Sequence, residues 1–144
     1  MKIVINTCFG GFGLSHKAVM RYAELSGFKL YPYLDDITIR VYKDRATVGN
    51  PELTHHYSKV PLEQLERRDD GIVDDYKHPN GTYFNEYDLK RDDSILIQVI
   101  EELGIEANDR NAKLKIVEIP DNVEWQIEEY DGSEHIAEAH RTWS

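Results

Sequence analysis

One stretch limits the folds open to this chain more than any other: Ile3-Val4-Ile5-Asn6-Thr7-Cys8-Phe9-Gly10-Gly11-Phe12-Gly13-Leu14-Ser15. Over residues 2–8, apolar side chains fall on both faces of an extended segment, Ile3 and Ile5 on one and Val4 on the other. That is the pattern of a central strand. Gly10, Gly11 and Gly13 then free the backbone for positive φ and for close approach by another group. Ser15 is a favoured N-cap. Behind it Ala18, Val19, Tyr22, Ala23 and Leu25 keep helical spacing from His16 to Leu25, and Gly27 is placed to end the helix. Phe12 and Leu14 are candidates to close the first turn as a hydrophobic staple. The chain must therefore pass from a buried strand through a tight glycine turn directly into a helix.

The remainder builds outward from this unit. Ile37-Thr-Ile-Arg-Val-Tyr42 alternates as a strand does, Val48-Gly-Asn-Pro51 signals a turn, and Leu53–Tyr57 fits a short strand. Pro61-Leu-Glu-Gln-Leu65 reads as a short helical turn opened by proline. Arg67–Thr82 is polar and rich in Asp, Gly, Asn and Pro, which predicts a long exposed loop. Asp92 or Asp93 caps a second helix over Ser94–Leu103, whose apolar set is Ile95, Leu96, Ile97, Val99, Ile100 and Leu103, and Gly104 ends it. Leu114–Ile119 is a strand stopped by Pro120. Trp125–Tyr130, Asp131-Gly132 and Glu134–Ala139 form a hairpin on a type I′ turn. The expectation is one α+β domain over residues 1–144, with a mixed or antiparallel sheet, two main helices and a C-terminal hairpin. Residues 28–85 are a variable or loop-rich insertion within it.

Charge narrows the function classes. The net charge of −10 is uneven: residues 1–60 carry eight Lys/Arg against five Asp/Glu, whereas residues 61–144 carry nine against twenty-two. Binding to long nucleic acid draws its affinity from a basic surface, so an acidic chain without a Lys/Arg cluster argues against that partner. A small nucleotide needs only one or two arginines and a few backbone amides. The longest apolar runs, such as Ile95-Leu96-Ile97, are far too short to span a bilayer. Met1–Asn6 has no signal-peptide shape, and the single Cys8 excludes an internal disulfide. These features predict a cytoplasmic protein with no membrane partner.

The glycine turn admits two readings of equal weight. Either Gly10–Ser15 cradles a phosphate or other oxyanion at a helix N-terminus, with the Ser15 hydroxyl assisting, or it is a tight turn whose Phe9 and Phe12 simply pack. It matches neither the P-loop nor the spaced dinucleotide motif, and aromatics beside a flexible turn suit base stacking. Cys8, near the helix N-terminus, is placed for a lowered thiol pKa. It wants a histidine partner from among His16, His55, His56, His78, His135 and His140, although a small buried side chain is the commoner state of such a cysteine. His55-His56 point to opposite faces of a strand and suit no shared metal. Asp35-Asp36, Asp69-Asp70, Asp74-Asp75 and Asp92-Asp93 fall mainly in loops or caps as solvated carboxylates. No metal or cofactor is expected. Arg91, Arg110 and Arg141 are candidates for bidentate phosphate contact, and Tyr83-Phe84-Asn85 beside Arg91 groups an aromatic, an amide and a cation.

Ile5–Ser15 with Ala18, Val99-Ile-Glu-Glu-Leu-Gly104, Ala112–Pro120, Val123–Gly132 and His140-Arg-Thr-Trp143 together resemble a family of small bacteriophage and prophage proteins. The resemblance covers a little over half the chain and carries no activity to transfer. It implies a context: some small phage proteins counter host defence, and one class sequesters cyclic nucleotide or cyclic ADP-ribose signals without cleaving them, commonly at sites between subunits. The leading expectation is accordingly a homo-oligomeric, non-catalytic protein in the bacterial host cytoplasm that binds a nucleotide-derived immune signal. Cys8, Phe9, Gly10, Gly11, Phe12, Gly13, Leu14 and Ser15 would line the site, with Arg91 or Arg141 as counter-charge and Phe9, Phe12 or Phe84 stacking the base. A nucleotide phosphoesterase or transferase using Cys8 or a histidine is the second reading. An acidic protein–protein inhibitor of a host factor is the third.

Overall fold

The computed structural model describes residues 1–34, 55–66 and 82–138. The chain is α+β: among the described residues two α-helices accompany three small sheets, every strand pair is antiparallel, and β6 and β7 form a C-terminal hairpin. In order, the elements are β1 (Lys2–Asn6), α1 (His16–Ser26), β2 (Tyr31–Leu34), β3 (His55–Ser58), β4 (Tyr83–Phe84), α2 (Ser94–Leu103), β5 (Leu114–Glu118), β6 (Trp125–Tyr130) and β7 (Ser133–Glu138). The described residues fall into two compact units, one of Met1–Tyr22 with Glu86–Ser144 and one of Ala23–Asn85. The expected strand over 37–42, the turn over 48–51 and, but for Thr82, the loop over 67–82 lie outside the described residues.

In the first unit, β1 pairs with β5 in a register that sets Ile3 opposite Val117 and Ile5 opposite Lys115. Ile3, Val4 and Ile5 are all buried, as a strand apolar on both faces requires, but among the described residues β1 pairs with β5 alone and is not the expected central strand. Leu96, Val99 and Ile100 of α2 are buried with them, and α2 packs on β1 and β5. Asp93, not Asp92, is the cap: its Oδ1 accepts from the Ile95 and Leu96 amides at 2.8 and 3.1 Å. Its Oδ2 accepts from the Tyr22 hydroxyl at 2.7 Å, which ties the start of α2 to α1. At α1, Ser15 caps as expected, its Oγ accepting from the Ala18 amide at 3.1 Å.

β1 stops at Asn6, two residues earlier than alternation predicts. The Asn6 carboxamide turns the chain: its Oδ1 accepts from the Cys8 and Lys113 amides, and its Nδ2 donates to the Cys8 and Gly132 carbonyls. A fully buried amide with four hydrogen bonds outweighs the ladder a longer strand would make.

The second unit is the sheet β2–β3–β4, with Tyr33 opposite His56 and Tyr57 opposite Phe84. Tyr33 stacks on His56 with centroids 5.5 Å apart, and Phe84 contacts Phe28 and Tyr57. Strand β2 was not legible in the sequence because Pro32 argues against a strand. Among the described residues β2 pairs only with β3, so proline sits where no donor is needed toward a second neighbour. Pro61 precedes a single 3-10 turn over Leu62–Gln64, as anticipated.

Candidate functional site

Three lengths of backbone meet at the glycine turn, and the glycines are there to let them. Gly10 and Gly11 have φ of +146° and +94°. A Cβ at Gly10 would lie 2.7 Å from the Asn111 carbonyl oxygen, and one at Gly13 would lie 2.8 Å from the Asp109 carboxylate. The hairpin turn closes on the other side. Asp131 and Gly132 have φ of +49° and +89°, as a type I′ turn demands, and a Cβ at Gly132 would collide with the Gly10 and Gly11 amide nitrogens. The Gly10 amide donates to the Asp131 carbonyl at 3.3 Å. After the turn, the Ser15 amide donates to Ala107 and the Asp109 amide to Gly13, around a bridge between Leu14 and Asn108.

This arrangement commits several groups that the sequence offered to a ligand. The Arg91 guanidinium forms a fork with the Glu134 carboxylate, Nη1 to Oε1 at 2.6 Å and Nη2 to Oε2 at 2.8 Å. Its Nη1 also donates to the Val4 carbonyl at 3.3 Å, the Val4 amide donates to the Arg91 carbonyl, and the Asn6 amide donates to Glu134 Oε1. Arg91 and Glu134 thus satisfy the edge of β1 that faces away from β5, where unpaired backbone groups in a buried strand would be costly. The guanidinium carbon lies 3.7 Å over the Phe12 ring. Arg91, expected as a phosphate counter-charge, is thus paired with Glu134 within the fold. Phe12 is buried with that cation over its ring. Leu14 is buried too.

A carboxyl group of the chain itself already stands at the end of the turn. The Leu14 amide donates to Glu86 Oε2 at 2.6 Å. Burial pushes the Glu86 carboxyl up to about 7, the Leu14 amide works against that shift, and the nearby Asp109 charge adds to it. Tyr87 is raised in turn, first by burial and then by Glu86 and Asp109. Ser15 is likewise engaged, its Oγ donating to the Glu106 carbonyl at 2.6 Å while capping α1.

Other groups face outward. Phe9 is 67% exposed and meets Tyr130, 72% exposed, edge-on with centroids 6.5 Å apart. Cys8 is half-buried: its amide donates to Asn6 Oδ1, and its Sγ lies 3.7 Å from the Phe9 carbonyl oxygen, with no histidine in that contact. In the hairpin, Glu129 opposes Glu134 on the inner face. Glu128 opposes His135 on the outer face, their side chains 2.9 Å apart, next to Tyr130. Residues 123–138 contain six Asp/Glu and no Lys or Arg. Of these acids only Glu134 is buried.

Phe84 lies in the aromatic cluster of the second unit, and Arg141 lies outside the described residues. Sequence reasoning missed Glu86, Asp109 and Glu134. Each is an ordinary acidic residue whose partner is 23 to 128 positions away, so no local pattern marks it. Among the described residues no group of three or more His, Cys, Asp or Glu side chains is placed to hold a metal ion. No helix among them is long and apolar enough to cross a membrane.

Compared with family models, with curated proteins and with solved structures, the chain has no significant match. The fold and the site define an α+β protein whose glycine turn is closely approached by its own chain at Gly10 and Gly13 and whose exposed Phe9 meets Tyr130 of an acidic hairpin.

Proposed function

We propose that this protein acts by binding a basic protein partner through the outer face of its C-terminal hairpin and the adjoining glycine turn. The observation that carries the reading is the exposed Phe9–Tyr130 pair beside a hairpin with five exposed carboxylates and no Lys or Arg. Exposed aromatics in contact are the groups that anchor protein interfaces. A surrounding field of one sign steers and selects a partner of the other. Of the functions expected from the sequence this is the acidic protein–protein inhibitor, and it uses groups that face outward.

The test is to display a random peptide library against the immobilised protein at two salt concentrations. Enrichment of Lys/Arg-rich sequences, weakened by salt and lost in a folded Phe9→Ser/Tyr130→Ser variant, supports the reading. Enrichment with no charge bias, or binding untouched by the double substitution, refutes it.

Sequestration of a nucleotide-derived signal keeps one observation in its favour. The α-carbon of Gly11 faces open space beside exposed Phe9. Its support is smaller, because the Gly10 amide, Phe12, Ser15 and Arg91 already have partners within the fold. Recovery of an intact nucleotide, near one per chain, from denatured protein would reverse that order.

A further inference from the structure

We infer that β6 receives an extended segment of the partner as an added strand, and that this segment alternates basic and apolar residues. The inference rests on the proposed function and specifies how the partner is read. In a two-residue hairpin the residues flanking the turn exchange both backbone hydrogen bonds, and every second pair along the ladder does the same. Tyr130 opposes Ser133, so Tyr130, Glu128 and Gln126 spend their backbone groups on β7. Trp125, Ile127 and Glu129 turn theirs the other way. Among the described residues β6 has no strand beyond β7, so that edge faces away from its only partner.

Natural edges are often blunted by lysine, proline or a bulge. This one carries none of these between Trp125 and Tyr130, and its only charges are Glu128 and Glu129. Those charges repel a second copy of the same strand, since like charges set side by side across a ladder are unfavourable. They attract a basic strand. Alternation decides where each incoming side chain falls. On the outer face it meets Glu128 and Tyr130, a carboxylate and an aromatic face that both suit Lys or Arg. On the inner face it meets the half-buried Trp125 and Ile127, which suit an apolar residue. Backbone pairing supplies affinity and the alternate side chains supply specificity, which is the division of labour in strand addition.

The experiment uses the full chain and a synthetic peptide of alternating Lys and Val, with a second version N-methylated at alternate residues so that one edge cannot donate. Amide hydrogen exchange of β6 is followed by NMR with and without each peptide. The expected result is binding of the first peptide, at least tenfold weaker binding of the methylated one, and slowed exchange at Ile127 and Glu129. Glu128 and Tyr130 amides, already paired with β7, change little. Binding that is indifferent to methylation, with no slowing at Ile127 and Glu129, overturns strand addition and leaves the acidic-face reading standing. Absence of binding by either peptide at low salt overturns both.

Discussion

Replacing Glu86 by glutamine should stabilise this protein at alkaline pH and do little at acid pH. The Glu86 carboxyl rises from an ordinary 4.5 to about 7, chiefly through burial. Between those values the folded state holds a proton that the unfolded chain has released. Stability conferred by the neutral carboxyl is therefore complete below about 4.5 and is lost as pH rises to about 7, beyond which both states are ionised. That rise corresponds to about 3 kcal/mol, of which part is relieved by water at a half-buried site. Glutamine carries no charge to desolvate, and its side-chain oxygen can still accept from the Leu14 amide, the 2.6 Å contact that holds the end of the turn. Urea unfolding of both proteins at pH 4, 5.5, 7 and 8.5, compared at a common m-value, isolates this group from every other titration. The variant should gain on the parent by about 2–3 kcal/mol between pH 4 and pH 8.5. A difference that stays constant within about 0.5 kcal/mol across that range would refute the reasoning.

Three further outcomes follow from particular contacts. Glu134→Gln should cost about 3 kcal/mol in chemical denaturation, because it leaves the Arg91 charge without its carboxylate in a poorly solvated place. The double change Arg91→Met with Glu134→Leu should not recover that loss. The Asn6 amide and Val4 carbonyl would be orphaned with it, which distinguishes this pair from one that serves only itself. Gly132→Ala should lower the melting temperature more than Gly104→Ala. Both have positive φ, but a methyl group at Gly132 runs into the Gly10–Gly11 backbone while one at Gly104 meets open space. Asp93→Ala should cost about 1–2 kcal/mol through loss of the α2 cap, with a further loss from the Tyr22 hydroxyl, measured by thermal unfolding.

The glycine turn shows how an ambiguous motif resolves. Phosphate cradles and tight packing junctions demand the same residue for the same reason, the absence of a Cβ where another group comes close. Spacing cannot tell which group that is. Here Asn111, Asp109 and Gly132 come close, and two of them bring backbone. Glu86 meanwhile supplies the carboxylate that accepts from the Leu14 amide. A turn satisfied in this way offers an incoming anion less than its sequence promises.

What the sequence determined by itself is local. Apolar residues on both faces of Ile3–Ile5 specify a buried strand, and the apolar set Ile95, Leu96, Ile97, Val99, Ile100 and Leu103 specifies the second helix. Ser15 specifies the start of α1, and Asp131-Gly132 specifies a type I′ hairpin, because periodicity, capping and turn chemistry act within a few residues. The tertiary structure alone decided the rest. Asn6 ends β1 early through partners at Lys113 and Gly132, and Pro32 is admitted to a strand that among the described residues lies at an edge. Arg91 is spent on Glu134, 43 residues away, and Glu86 acquires its unusual carboxyl from burial beside Leu14, 72 residues away. Desolvation and charge pairing depend on which distant segments the fold brings together, and no window along the chain contains that information.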